Sequence, residues 1–137
     1  MKVILIGHGK TGVAFKGAVE MIYGKVDDFL PLTFMPGEGI KDVETKIQNV
    51  INDSNEETLV ITDLFSGTPY NAASTLALQQ KVTDVVAGMS LPMLLEVALN
   101  KDKMKVADLV KMLAQDSNSY VRVLSSEVEK EEKEDDF

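Results

Sequence analysis

Short apolar runs and amphipathic stretches alternate along this chain with little between them, and that alternation constrains its fold more than any other feature. Val3 to Ile6 is an apolar run closed by Gly7, the pattern of a strand buried on both faces. From Val13 to Tyr23 apolar residues recur near helical spacing, with Gly24 placed to cap the end. Phe29 to Phe34 reads as a second strand, and Pro31 within it marks an edge position. Met35-Pro36-Gly37-Glu38-Gly39 breaks that strand sharply. Ile40, Val43, Ile47, Val50 and Ile51 then share one helical face. Thr58 to Thr62 is the most strand-like segment and ends at Asp63. Asn71 to Gln80 reads as a third helix and Val85 to Gly88 as a fourth strand. Pro92 opens a further helix at its first turn, and Val106 to Ala114 continues helically. Tyr120 to Leu124 is predicted to add a final strand.

Strands alternating with helices through short connections predict an α/β fold: one domain, a mostly parallel sheet, and helices on both faces. Right-handed crossovers place every loop that follows a strand at one edge. Gly7 to Gly12, Met35 to Gly39, Asp63 to Pro69 and Met89 to Leu91 converge there. A strand order of 2-1-3-4 puts the switch point between the first and third strands, which makes His8 and Asp63 neighbours. The last strand is expected to be antiparallel. Residues 1–125 are expected to form the domain and 126–137 an acidic tail. That tail carries most of the formal charge of −8. The body is close to balanced and lacks the clustered Lys and Arg that a nucleic-acid backbone demands. No apolar run approaches the roughly 20 residues that cross a bilayer, and the start is too short for a secretory apolar region of about 7 to 15 residues. A cytoplasmic protein, not itself transmembrane, is the expectation.

His8 is the only histidine, and there is no cysteine or tryptophan. Thiol nucleophiles, thiolate metal sites and disulfides are therefore excluded. A carboxylate accepting a hydrogen bond from one imidazole nitrogen fixes the tautomer and leaves the other with a free lone pair, so His8 with Asp63 could act as an oriented nucleophile. Ser66, Thr68 and the backbone around Gly7, Gly9 and Gly67 offer donors suited to a dianionic phosphoryl group, as do helix N-termini. Other readings stay open on the residues alone. His8 could be a plain loop residue and Asp63 a turn former. Gly7-His8-Gly9-Lys10-Thr11-Gly12 also spells the G-x-G-x-x-G of nucleotide-binding loops, but no acidic residue ends the second strand to hold a ribose. The Walker A pattern fails because Ile4 stands where glycine is required. Ser66 lacks a G-x-S-x-G elbow, which argues against a serine hydrolase. Neither a metal nor a cofactor is expected. Lys10 reads as a solvated cation, while Met35 and Met89 are placed to line the crevice.

Taken together, Ile6-Gly7-His8-Gly9, Phe34-Met35-Pro36-Gly37-Glu38, Asp63 with Ser66-Gly67-Thr68-Pro69-Tyr70-Asn71-Ala72-Ala73-Ser74, and Ala87-Gly88-Met89-Ser90-Leu91-Pro92-Met93-Leu94 resemble the IIA component of the mannose-family sugar phosphotransferase system. The likeness runs over residues 2–124, and the order of four motifs is far more specific than any one. It implies a homodimeric phosphocarrier without a resident cofactor. His8 would take a phosphoryl group from the histidine phosphocarrier protein and pass it to a IIB component. Asp63 would orient the ring, Ser66, Gly67, Thr68 and Gly9 would face the phosphoryl group, and Pro36 and Gly37 would shape the wall. The resemblance further implies that the strand at Tyr120 to Leu124 is exchanged between subunits and that the chain is a freestanding IIA protein. The phosphotransfer subunit of dihydroxyacetone kinase is similar in fold and histidine site, but Pro36-Gly37-Glu38 and the Ser66 to Asn71 run look more like the sugar branch.

Overall fold

The computed structural model describes residues 1–52 and 55–135. Four parallel strands form one sheet in the order β2-β1-β3-β4: β1 (Lys2–His8), β2 (Phe29–Phe34), β3 (Thr58–Thr62) and β4 (Asp84–Ala87). This is the expected order, and it follows from right-handed crossovers through helices α1 (Thr11–Ile22), α2 (Ile40–Ile51) and α3 (Thr68–Leu78). Pro31 lies on an outer strand, where a missing N–H costs no ladder bond to a further neighbour.

Strand periodicity sorts the core into two layers. Val3 and Leu5 of β1, with Leu59 and Ile61 of β3, pack beneath α1 and the two later helices α4 (Leu91–Asn100) and α5 (Val106–Asp116). Ile4, Ile6 and Val60 face the opposite way, against Val43 and Ile47 of α2 and Ala72, Ala73 and Leu76 of α3. Fully burying a side chain such as Leu5 or Ile6 stabilises by about 1.5–3 kcal/mol. The small alanines let α3 lie close to the sheet. Gly12 does the same for α1: a Cβ there would meet the carbonyl oxygen of Leu5, with the Leu5 carbonyl carbon at 2.9 Å and Leu32 O at 3.2 Å.

Besides small shifts at other element ends, two departures from the sequence reading stand out. Helix α3 begins at Thr68 rather than Asn71, because Pro69 sits in the first turn, where its fixed φ is favourable and its missing N–H costs nothing. The C-terminal antiparallel strand is not formed. Tyr120 follows a short 3-10 turn, and its hydroxyl donates to Glu96 Oε2 on α4 at 2.7 Å. Arg122 forks onto both carboxylate oxygens of Glu127 at 2.7 Å, and Leu124–Asp135 is helix α6. A strand over residues 120–124 would need a neighbouring strand for its amides, and the Glu- and Lys-rich segment that follows forms helix from Leu124 onward. The acidic tail is thus an exposed helical extension through Asp135, and Asp136 and Phe137 lie outside the described residues.

Candidate functional site

His8 is the last residue of β1, at the sheet edge where the loops converge. Its neighbour in the next strand is Phe34, paired with it in register. Gly9 N–H donates to Phe34 O at 2.7 Å, and Phe34 N–H donates back to Gly9 O at 3.2 Å. Gly9 takes φ +62, a conformation available to glycine without a Cβ penalty. The chain then turns directly into α1, and the Thr11 hydroxyl donates to His8 O at 2.6 Å. The imidazole is left half exposed.

Asp63 follows β3 and reaches across to β1, as the strand order required. Its Oδ2 accepts two hydrogen bonds from one residue: His8 N–H at 2.9 Å and His8 Nδ1 at 3.0 Å. A carboxylate only accepts, so Nδ1 carries the proton and Nε2 keeps its lone pair. Gly7 makes this possible. A Cβ at position 7 would stand 2.8 Å from Asp63 Cγ and 2.9 Å from Oδ2, displacing the carboxylate. The second oxygen, Oδ1, is buried and has no hydrogen-bond partner among the described residues. On the other side of the imidazole, the Phe34 ring stands edge-on, 5.5 Å away at 77°. Phe34 and Asp63 together hold the ring in one orientation.

The loop Leu64 to Gly67 closes the third side. Ser66 sits at φ +66, uncommon for a residue with a side chain. A Cβ on Gly67 would lie 3.3 Å from His8 Cε1, so this backbone abuts the ring. Thr68 is the first residue of α3, which brings a second helix N-terminus, besides that of α1, to the same edge. Lys10 is the exposed residue capping α1, without a side-chain cap bond. Met35, Pro36 and Gly37 are exposed immediately beyond Phe34. Met89 stands apart: its N–H donates to Thr62 O, and its side chain is buried with Met93 and Leu94. Among the described residues, no group of three or more His, Cys, Asp and Glu side chains gathers to hold a metal, and no helix is long and apolar enough to cross a membrane.

Two side chains that frame this site were not singled out in the sequence. Phe34 could have been found from the parallel register, which pairs it with His8. Lys46, one turn into α2's buried stretch, had no such signal. Its ammonium donates to Thr33 O and to Glu38 Oε1, both at 2.7 Å, and Glu38 Oε1 also accepts Met35 N–H at 2.7 Å. The loop after β2 is thereby tied to α2. The hydrogen bond from Lys46, then that from Met35 N–H, hold the Glu38 carboxyl below its ordinary value of 4.5. A lowered carboxyl pKa contributes to stability above the ordinary value, and the contribution fades as pH falls through the lowered one. Lys46→Met should move the Glu38 titration midpoint, read by carboxyl NMR, back up toward 4.5; an unchanged midpoint would show that the ion pair does not hold this loop.

The glycines of the G-x-G-x-x-G run are each accounted for within the fold. Gly7 makes room for a carboxylate, Gly9 takes a left-handed turn, and Gly12 admits a helix against the sheet. Comparison with known proteins points the same way. Residues 2–114 match the family model EIIA-man, described as the PTS system fructose IIA component. The chain is 51% identical over 138 residues to the sorbose-specific EIIA component of the PTS of Lacticaseibacillus casei, covering 100% of both chains. It is 35% identical over 132 residues to the fructose-specific EIIA component of Bacillus subtilis, covering 95% of this chain and 90% of that one. Among solved structures it is similar to phosphotransferase system component EIIA from Streptococcus agalactiae, with a TM-score of 0.84 and 30% identity, over 91% of this chain and 98% of that chain. With this fold, and with matches along nearly its whole length, the chain belongs to the mannose family of IIA components of the sugar phosphotransferase system.

Proposed function

We propose that this IIA component is a phosphocarrier in which His8 Nε2 accepts a phosphoryl group from the histidine phosphocarrier protein and passes it to a IIB component for sugar uptake. The observation that carries this reading is the bond from His8 Nδ1 to Asp63 Oδ2, which leaves Nε2 as the one unprotonated nitrogen on a half-exposed ring. In the forward step the Nε2 lone pair forms a P–N bond as the donor's P–N bond breaks. The electron pair of the broken bond returns to the donor ring. No proton need leave Nδ1, and the positive charge that grows on the His8 ring faces the Asp63 carboxylate. Such a transfer asks mainly for positioning and for donors toward the phosphoryl oxygens. The loop amides and the N-termini of α1 and α3 are suited to supply them.

A carrier must also resist water. Asp63 Oδ2 is engaged by the ring and the main chain and Oδ1 is buried, so neither oxygen is open to an attacking water as a base. The test is direct. Incubated with phosphorylated histidine phosphocarrier protein and kept alkaline, the chain should gain one phosphate, located by mass spectrometry on the peptide containing His8. Phosphate on another residue, or none, would overturn the reading.

A further inference from the structure

Asn71, in the first turns of α3, grips the loop that faces His8 with two donors. Its main-chain N–H donates to Gly67 O at 2.9 Å, and its side-chain amide donates to Ser66 O at 3.2 Å. Ser66, whose carbonyl accepts the side-chain amide, is the strained element of the loop at φ +66. The left-handed region disfavours a residue that carries a Cβ, so a serine stays there only when its surroundings hold it. The side-chain amide of Asn71, bonded to Ser66 O, supplies such a contact. Gly67 lies on the far side of the same peptide, against the imidazole, where its Cβ position would be 3.3 Å from His8 Cε1. The carbonyl and N–H of a trans peptide point in opposite directions. Drawing Ser66 O toward Asn71 therefore commits the Gly67 N–H to the side away from that clamp.

We infer that Asn71 is a positioning residue that holds Ser66 left-handed, so that the Ser66–Gly67 peptide presents its N–H beside the ring that receives the phosphoryl group. This rests on the phosphocarrier reading and adds to it: the donor geometry is set from outside the site by a side chain that does not touch His8. A merely structural asparagine would alter stability whatever stood at position 66. A positioning asparagine should matter only while position 66 resists the left-handed conformation, and glycine adopts it without penalty.

A double-mutant cycle over positions 66 and 71 checks this, with His8 phosphorylation from phosphorylated histidine phosphocarrier protein followed by rapid quench. Asn71→Ala should lower kcat on the order of tenfold with KM held within about twofold. The same change made beside Ser66→Gly should cost less than about threefold relative to Ser66→Gly alone. Equal losses in the two backgrounds, a loss confined to KM, or no loss would overturn the inference. Asn71→Asp, similar in size but with an acceptor in place of the donor, should reproduce the loss and serves if the alanine variant does not fold. A wild-type chain that takes up no phosphate sinks the phosphocarrier reading itself, whereas a labelled wild type with Asn71→Ala unchanged sinks only this one.

Discussion

His8→Ala should abolish phosphoryl acceptance while leaving the fold in place. The imidazole is the only one in the chain, so no second histidine can take over. Its side chain is 51% exposed, and losing it forfeits the Nδ1 bond to Asp63 and the edge-on contact with Phe34, the latter worth about 0.5–1.5 kcal/mol. Asp63 keeps the main-chain N–H of residue 8 as a partner, so no buried charge is stranded. Asp63→Asn has a different signature. An amide placed there can donate as well as accept, so it no longer forces the proton onto Nδ1. It also lacks the negative charge that would face the ring as the proposed P–N bond forms. Transfer should then slow by about a hundredfold or more without vanishing, as expected when a catalytic imidazole loses control of its tautomer. Radiolabel uptake by the two variants, compared with thermal melts, reads both outcomes. Undiminished labelling of His8→Ala would remove the histidine from the mechanism. An unchanged rate in Asp63→Asn would leave Asp63 a structural role only.

The largest effect on stability is expected at Gly12. An alanine there would drive its methyl group into the Leu5 carbonyl oxygen, with Leu32 O also within 3.2 Å. These are backbone atoms of the two adjoining strands β1 and β2, which cannot swing aside as a side-chain tip would. Overpacking of a core commonly costs about 1–3 kcal/mol, and a collision with sheet backbone belongs at or above the top of that range. Against a total of roughly 5–15 kcal/mol, that is a large share of the domain's stability. Gly17, on the exposed side of the same helix, is the internal control. A Cβ there meets nothing within 4 Å, so alanine should stabilise α1 by about 0.5–1 kcal/mol. Urea titration should show the midpoint falling for Gly12→Ala and rising slightly for Gly17→Ala, with the slope unchanged. Equal shifts in the two variants would show that α1 does not owe its close approach to Gly12.

Much of this is legible in the sequence alone. Phe29 to Phe34, Ile40 to Ile51 and Thr58 to Thr62 are element boundaries that periodicity and punctuation place correctly. These segments are bounded by glycine, proline and charged residues, and their apolar spacing fits one period only. The strand order followed from alternation and handedness, and it made His8 and Asp63 neighbours. Tyr120 to Leu124 forms no strand in the single chain for a physical reason. A β-rich pentapeptide is a strand only if a ladder is available, and here a tyrosine tied to Glu96 and a helix-forming tail compete with it. Met89 departs from the sequence reading in another way. It follows β4 at the correct edge, but only the tertiary packing reveals that its side chain turns down into the core.

What the sequence determined alone is the set of local periods and, through chirality, the topology. Those depend on neighbours a few residues apart and on a handedness rule that holds for any such chain. It also determined which chemistry was excluded, since one histidine and no cysteine leave few nucleophiles. The role of individual atoms comes instead from the packing of distant segments. That one Asp63 oxygen takes both His8 donors while the other is buried without a partner, that Phe34 rather than Met35 faces the ring, and that Asn71 reaches back to Ser66 O all depend on separations near 3 Å or on ring contacts between segments. Such separations are set by register and packing across the sheet, where a one-residue shift turns every side chain to the other face.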